Sequence, residues 1–241
     1  MKQKLLAVLF CTFIFITSAS ARHYYLISVG VSDYPGENND LRLPSADAKA
    51  LASVYKKSVG ATVKLLLNDK ATRTNVISEA KKLYSSARED DVVIFFFSGH
   101  GTPGAFCTYD ELLPFEDVRS IFASCKAKSK MIFADSCFSG DIRDSKSTGY
   151  KDLSRNVMLF LSCRSDEYSI ERKNMKNGLF TACLVRCLKG GADSDKNRII
   201  TARELFESVR KGVIRLSKNK QHPVMWGDFS DQMQVINWKR K

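Results

Sequence analysis

The chain has 241 residues, of which 44% are hydrophobic, and a formal net charge of +12 at pH 7. About 220 residues remain beyond an apolar leader, enough for one α/β domain with a full core, and no later stretch is long and apolar enough to span a membrane. The basic balance favours acidic surfaces, but without an aromatic-and-basic stripe or a binding motif, no nucleic-acid partner is expected.

The chain opens on Met1-Lys2-Gln3-Lys4, an apolar run from Leu5 to Ile16, and Ala19-Ser20-Ala21 before Arg22. A basic start, a short apolar run and a small-residue site read as a removable export signal over 1–21, with a single domain over 22–241. The expectation is a periplasmic or secreted protein with no stable membrane insertion once the signal is removed. The mature chain keeps six cysteines, Cys107, Cys125, Cys137, Cys163, Cys183 and Cys187. They read as buried thiols: a chain this long needs no staples, and the four-residue spacing of Cys183 and Cys187 in a helix gives poor disulfide geometry. No C-x-x-C occurs, which speaks against thioredoxin-like and zinc-ribbon sites.

Tyr24 to Val31 reads as a buried strand running into a turn-rich loop, followed by a helix from Ser45. Thr62 to Leu67 reads as a strand, Thr72 to Ala87 as a helix, and Val92 to Phe97 as a central strand covered on both faces. Phe115 to Cys125 follows as a crossover helix, with strands over Lys130 to Asp135 and Asn156 to Ser162. Helices over Gly178 to Leu188 and Thr201 to Leu216 come last, and Met233 to Asn237 reads as an edge strand. Strands alternating with helices predict an α/β fold with a mostly parallel sheet of about six strands flanked by helices. The charged stretch Asp141 to Arg155 has no apolar periodicity and reads as a surface loop.

Two strand ends carry the chemistry, Ser98-Gly99-His100-Gly101 and Asp135-Ser136-Cys137-Phe138-Ser139-Gly140. If these strands are neighbours, His100 and Cys137 emerge side by side at the carboxyl edge of the sheet, where open α/β sheets place their sites. Cysteine is a strong nucleophile, and an imidazole can hold its proton and deliver it to a leaving amine. The flanking glycines let a substrate backbone approach, and the amides of Cys137 and Gly101 are candidate oxyanion donors. Gly99-x-Gly101-x-x-Gly104 also fits a dinucleotide-binding spacing, but Pro103 and the residues after it do not open the helix which that motif requires.

The two motifs resemble the histidine and cysteine motifs of the caspase and metacaspase group of cysteine peptidases. Leu41 to Ala48, Leu161 to Asp166, Gly178-Leu179-Phe180-Thr181 and Pro223 to Gly227 resemble further family segments in the same order. The resemblance implies a caspase-like sheet with His100 as general acid/base and Cys137 as nucleophile. Caspases that cut after aspartate carry glutamine two residues before the cysteine; this chain carries Asp135 there, as metacaspases do. A carboxylate in the specificity pocket repels acidic side chains and pairs with Arg or Lys, and the resemblance makes Asp47 its companion. Such an enzyme could process its own 141–155 loop after Arg143, Lys146, Lys151 or Arg155; a solvated loop with basic residues is the alternative.

Asp193, Asp195, Asn197 and Glu204 match oxygen-ligand positions of a calcium loop, but Arg198 stands where such a loop turns on glycine. Thr201 and Glu204 also spell a helix capping box, the preferred reading. Together these observations predict an exported cysteine endopeptidase acting on proteins or peptides with basic residues. It needs no cofactor, and calcium is a candidate activator. A catalytically silent scaffolding module and a thioester-forming acyltransferase are the alternatives.

Overall fold

The computed structural model describes residues 22–36, 38–136, 157–164 and 174–238. Its centre is a six-stranded sheet in the order β10-β8-β7-β3-β1-β2. The strands are β1 (Tyr24–Gly30), β2 (Thr62–Leu67), β3 (Val92–Ser98), β7 (Ser129–Asp135), β8 (Val157–Leu161) and β10 (Val224–Trp226). All pairs are parallel except β10 with β8.

Every residue of β3 is buried, and the two-residue period of a strand explains how. Ile94 and Phe96 enter the core beneath helices α1 (Pro44–Val59), α4 (Leu179–Arg186) and α5 (Ala202–Ser217). Phe95 and Phe97 enter the core beneath α2 (Arg73–Tyr84) and α3 (Phe115–Ala123). The chain moves outward from β1 to β2 through α1, then returns across β1 to β3 through α2. With crossovers of one hand, reversing direction puts the next helix on the opposite face. The segments leaving β1 and β3 therefore diverge at a switch point on the carboxyl edge, where a crevice forms.

The sheet departs from the predicted elements in one strand. Met233 to Asn237 does not join it: β11 (Gln234–Asn237) pairs antiparallel with β9 (Ile199–Thr201) in a separate two-stranded sheet. The sixth strand is β10 instead, brought back along β8 by a left-handed cap at Lys218 and held there by Gln221 Nε2 donating to the Ser162 carbonyl at 2.9 Å. Both segments are short apolar runs, and only pairing geometry chooses between them. The stretch after His100 forms a small antiparallel sheet of β4 (Gly101–Thr102), β5 (Ala105–Cys107) and β6 (Leu112–Pro114). The helix predicted over Gly178 to Leu188 is α-helical to Arg186 and then widens into a π-turn over Cys187–Gly191.

Candidate active site

β3 and β7 lie side by side in parallel, with Ser98 opposite Asp135, so the segments that lead to His100 and Cys137 leave the sheet at the same level. Gly99 N donates to the Asp135 carbonyl at 3.3 Å and ties the two strand ends together. Cys137 and the basic residues Arg143, Lys146, Lys151 and Arg155 lie outside the described residues. Ser136, which precedes Cys137, is buried; its N–H donates to Ser162 Oγ at 3.2 Å, and its carbonyl accepts from that hydroxyl at 3.2 Å. The Cys163 thiol also donates to the Ser136 carbonyl at 3.5 Å, so the start of the Leu161–Asp166 segment braces the residue before the cysteine.

His100 is held from below by Tyr34, on the segment that leaves β1. The His100 backbone N–H donates to Tyr34 Oη at 2.9 Å, and that hydroxyl donates to the Cys107 carbonyl at 2.9 Å. The two rings lie 4.9 Å apart. Burial pushes the Tyr34 phenol well above its ordinary pKa and keeps it a neutral donor. A side chain at position 99 would place its Cβ 2.5 Å from Tyr34 Oη and 3.0 Å from the Phe97 ring. Glycine there is a packing requirement of the Tyr34 bridge.

The imidazole Nε2 lies 2.8 Å from the Asn39 carbonyl. A carbonyl only accepts, so this nitrogen carries the proton and Nδ1 is the basic one. Asn39 thus orients the ring through its backbone. No side chain advertises such a role, so nothing in the sequence marks Asn39 as the orienting group. His100 and Gly101 line a cleft of about 550 Å³ with Tyr34, Asn39, Tyr109 and Leu112.

On the α1/α4 side of the same edge, the structure brings Asp47 and Asp135 together, both buried. Asp47 Oδ2 accepts from Ser98 Oγ at 3.0 Å, and Oδ1 accepts from Asn177 Nδ2 and Gly178 N, each at 2.9 Å. Asp135 Oδ2 accepts from Thr181 N at 3.1 Å and Thr181 Oγ1 at 2.7 Å. Burial, and then the neighbouring Asp135, push the Asp47 carboxyl up to about 8, against the pull of those hydrogen bonds. The two carboxyl groups share one buried recess, in which a guanidinium or an ammonium would favour the ionised form of both.

The 193–204 segment lies apart from this edge, on the loop that leads through β9 into α5. Carboxylate oxygens of Asp193, Asp195 and Glu204 lie within 4.8 Å of one another, a donor set of the hard-oxygen kind that calcium takes. The same oxygens accept hydrogen bonds within the segment: Asn197 N donates to Asp193 and Asp195, Ser194 to Glu204 Oε1, and Thr201 to Glu204 Oε2. The capping box is present, as preferred from the sequence. Arg198 adopts a φ of +67°, the left-handed turn that glycine takes at this point of a calcium loop.

Comparisons with known proteins agree with this architecture. Crystal structures with the same fold include protein GSU0716 from Geobacter sulfurreducens, 18% identical over 90% of this chain and 98% of that one, with a TM-score of 0.68. Caspase-1 from Spodoptera frugiperda is 15% identical over 91% of this chain and 92% of that one, with a TM-score of 0.72. Among the curated proteins, none matches this sequence. The family model described as the caspase domain matches residues 25–234, nearly all of the described fold, and the chain belongs to the caspase-domain family of peptidases.

Proposed function

We propose that this chain is an exported, metacaspase-like cysteine endopeptidase that hydrolyses peptide bonds after Arg or Lys through a Cys137–His100 dyad. Cys137 attacks the scissile carbonyl, and the Cys137 and Gly101 amides stabilise the oxyanion. His100 Nδ1 takes the Cys137 thiol proton, delivers it to the leaving amine as the C–N bond breaks, and then takes a proton from the water that hydrolyses the thioester, returning it to the Cys137 sulfur as the acid product leaves. Asp47 and Asp135 receive the basic side chain. The observation that carries the reading is the buried carboxylate pair beside the strand that leads to the cysteine, with Asp135 two residues before Cys137. Support for the acid/base role comes from the Asn39 carbonyl, which leaves Nδ1 as the base.

The chemistry needs no cofactor, and calcium is assigned no step; titrating calcium against activity and melting temperature tests the 193–204 cluster as an activating site. Residues 1–21 would direct export, leaving no inserted segment. Self-processing after Arg143, Lys146, Lys151 or Arg155 follows from the same specificity, and mass spectrometry of the incubated protein would reveal those ends.

A peptide library varying Arg, Lys and Asp before the cleaved bond tests the whole reading. Wild type should cut after Arg and Lys, Cys137→Ala should be inert, and Asp135→Asn should lose the basic preference. Efficient cutting after Asp overturns the pocket, activity in Cys137→Ala overturns the dyad, and an inert wild type points to a scaffolding role. Transfer of the acyl group to an added amine in place of hydrolysis marks an acyltransferase.

A further inference from the structure

Both carboxylates of the recess are held by one corner of the chain, residues 177–181 at the start of α4. Asn177 Nδ2 and Gly178 N both donate to Asp47, while Thr181 N and Thr181 Oγ1 both donate to Asp135. Between the two acids, Gly178 leaves a gap that no other residue could leave: a Cβ there would lie 2.6 Å from Asp135 Oδ2 and 3.0 Å from Asp47 Oδ2. The two oxygens therefore flank a single point, and the corner that spaces them also donates to both carboxyl groups, beside the Ser98 hydroxyl on Asp47 Oδ2. Thr181 is the third residue of its helix, so its N–H is one of the amides left without a partner inside the helix. The positive end of the helix dipole adds to the stabilisation of charge on Asp135.

We infer that Asn177, Gly178 and Thr181 are specificity-determining positioning residues, which keep the Asp47–Asp135 pair spaced and oriented for a basic side chain. This inference rests on the proposed preference for Arg or Lys and extends it to residues outside the acid pair. None of the three touches the reacting atoms. They act through the two carboxylates, so their loss falls on the discrimination between a charged and a neutral side chain and leaves the chemistry intact.

The test compares otherwise identical peptides carrying arginine or its neutral near-isostere citrulline before the cleaved bond, on purified full-length protein. Thr181→Val keeps the shape and removes one donor; Thr181→Ser restores the donor; Asn177→Ala removes a half-buried donor to Asp47 and carries the test should Thr181→Val fail to fold. In Thr181→Val and Asn177→Ala, the ratio of kcat/KM for arginine over citrulline should fall about tenfold, through KM, with kcat within about twofold. Thr181→Ser should keep the ratio within about threefold of wild type. Gly178→Ala, with its methyl between the acids, should also lose discrimination.

An unchanged ratio in folded Thr181→Val and Asn177→Ala, or an equal loss on both peptides, overturns the inference while leaving the acid-pair reading intact. A wild type that does not prefer arginine over citrulline overturns the acid-pair reading, and this inference falls with it.

Discussion

At the scale of single residues, Asp47 and Tyr34 make the sharpest predictions. Because the folded chain keeps a proton on Asp47 where the unfolded chain has lost it, unfolding releases a proton between the ordinary value of 3.8 and about 8. Stability of the unliganded protein should therefore fall as pH rises through that window, and Asp47→Asn should flatten the slope in thermal melts. A bound guanidinium favours the ionised carboxylate, so kcat/KM for arginine peptides should rise with pH toward about 8 more steeply in wild type than in Asp47→Asn. Tyr34→Phe removes the hydroxyl shared by the His100 N–H and the Cys107 carbonyl. It should cost about 1–3 kcal/mol in denaturant melts and lower kcat, because the imidazole loses the support of its own backbone. His100 and Asp135 were legible in the sequence as residue types at strand ends, and Asp47 only through the family resemblance. Asn39 was not, because its contribution is a carbonyl oxygen that every residue has. Asn177 and Thr181 were visible only as polar letters near a helix start; their partners lie 130 and 46 residues away.

At the scale of elements, α1 and α5 show how local sequence sets position. α1 packs so closely on β1 that a Cβ on Gly30 would lie 2.4 Å from the Pro44 carbonyl and 2.8 Å from Ala48 Cβ. Backbone cannot yield as a flexible side chain can, so Gly30→Ala should push α1 outward, carry Asp47 with it and destabilise the fold by about 1–3 kcal/mol. Activity on arginine peptides should fall further than the melting temperature alone explains. At the start of α5, Thr201 Oγ1 accepts from Glu204 N, and the Glu204 carboxylate accepts from Thr201 N. Thr201→Ala should cost about 0.5–2 kcal/mol in the same denaturant assay. This box was readable in advance, since a helix cap is written within four residues. The fate of Met233 to Asn237 was not, because pairing with β9 depends on where α5 returns the chain.

At the scale of the whole molecule, the sheet is stabilised by burial on both faces, and no disulfide cross-links it among the described residues. The cysteines among the described residues, Cys107, Cys125, Cys163, Cys183 and Cys187, are all free thiols, four of them buried. Burial raises the thiol pKa of Cys107, Cys125, Cys183 and Cys187, which lowers their reactivity. A reducing agent should therefore leave the melting temperature of the purified protein within about 1 °C, and thiol-reactive dyes should label these cysteines rapidly only after unfolding. The reversal of strand order at β1 and β3 is the feature that makes a crevice out of this sheet. It sets the Tyr34–His100 cleft toward one face and the Asp47–Asp135 recess toward the other.

The amino-acid order alone determined the alternating α/β plan, the strand ends bearing His100 and Asp135, and the capping box of α5. Each of these is carried by periodicity or by neighbours a few residues apart, and such signals survive without any knowledge of the fold. The tertiary structure alone decided that β3 and β7 are adjacent, that β10 and not Met233 to Asn237 closes the sheet, that the Asn39 carbonyl orients the imidazole, and that one corner of α4 holds both acids. These depend on contacts between segments distant along the chain, and on backbone groups that are chemically the same at nearly every position. No local pattern can encode them; they exist only once the helices have packed against the sheet.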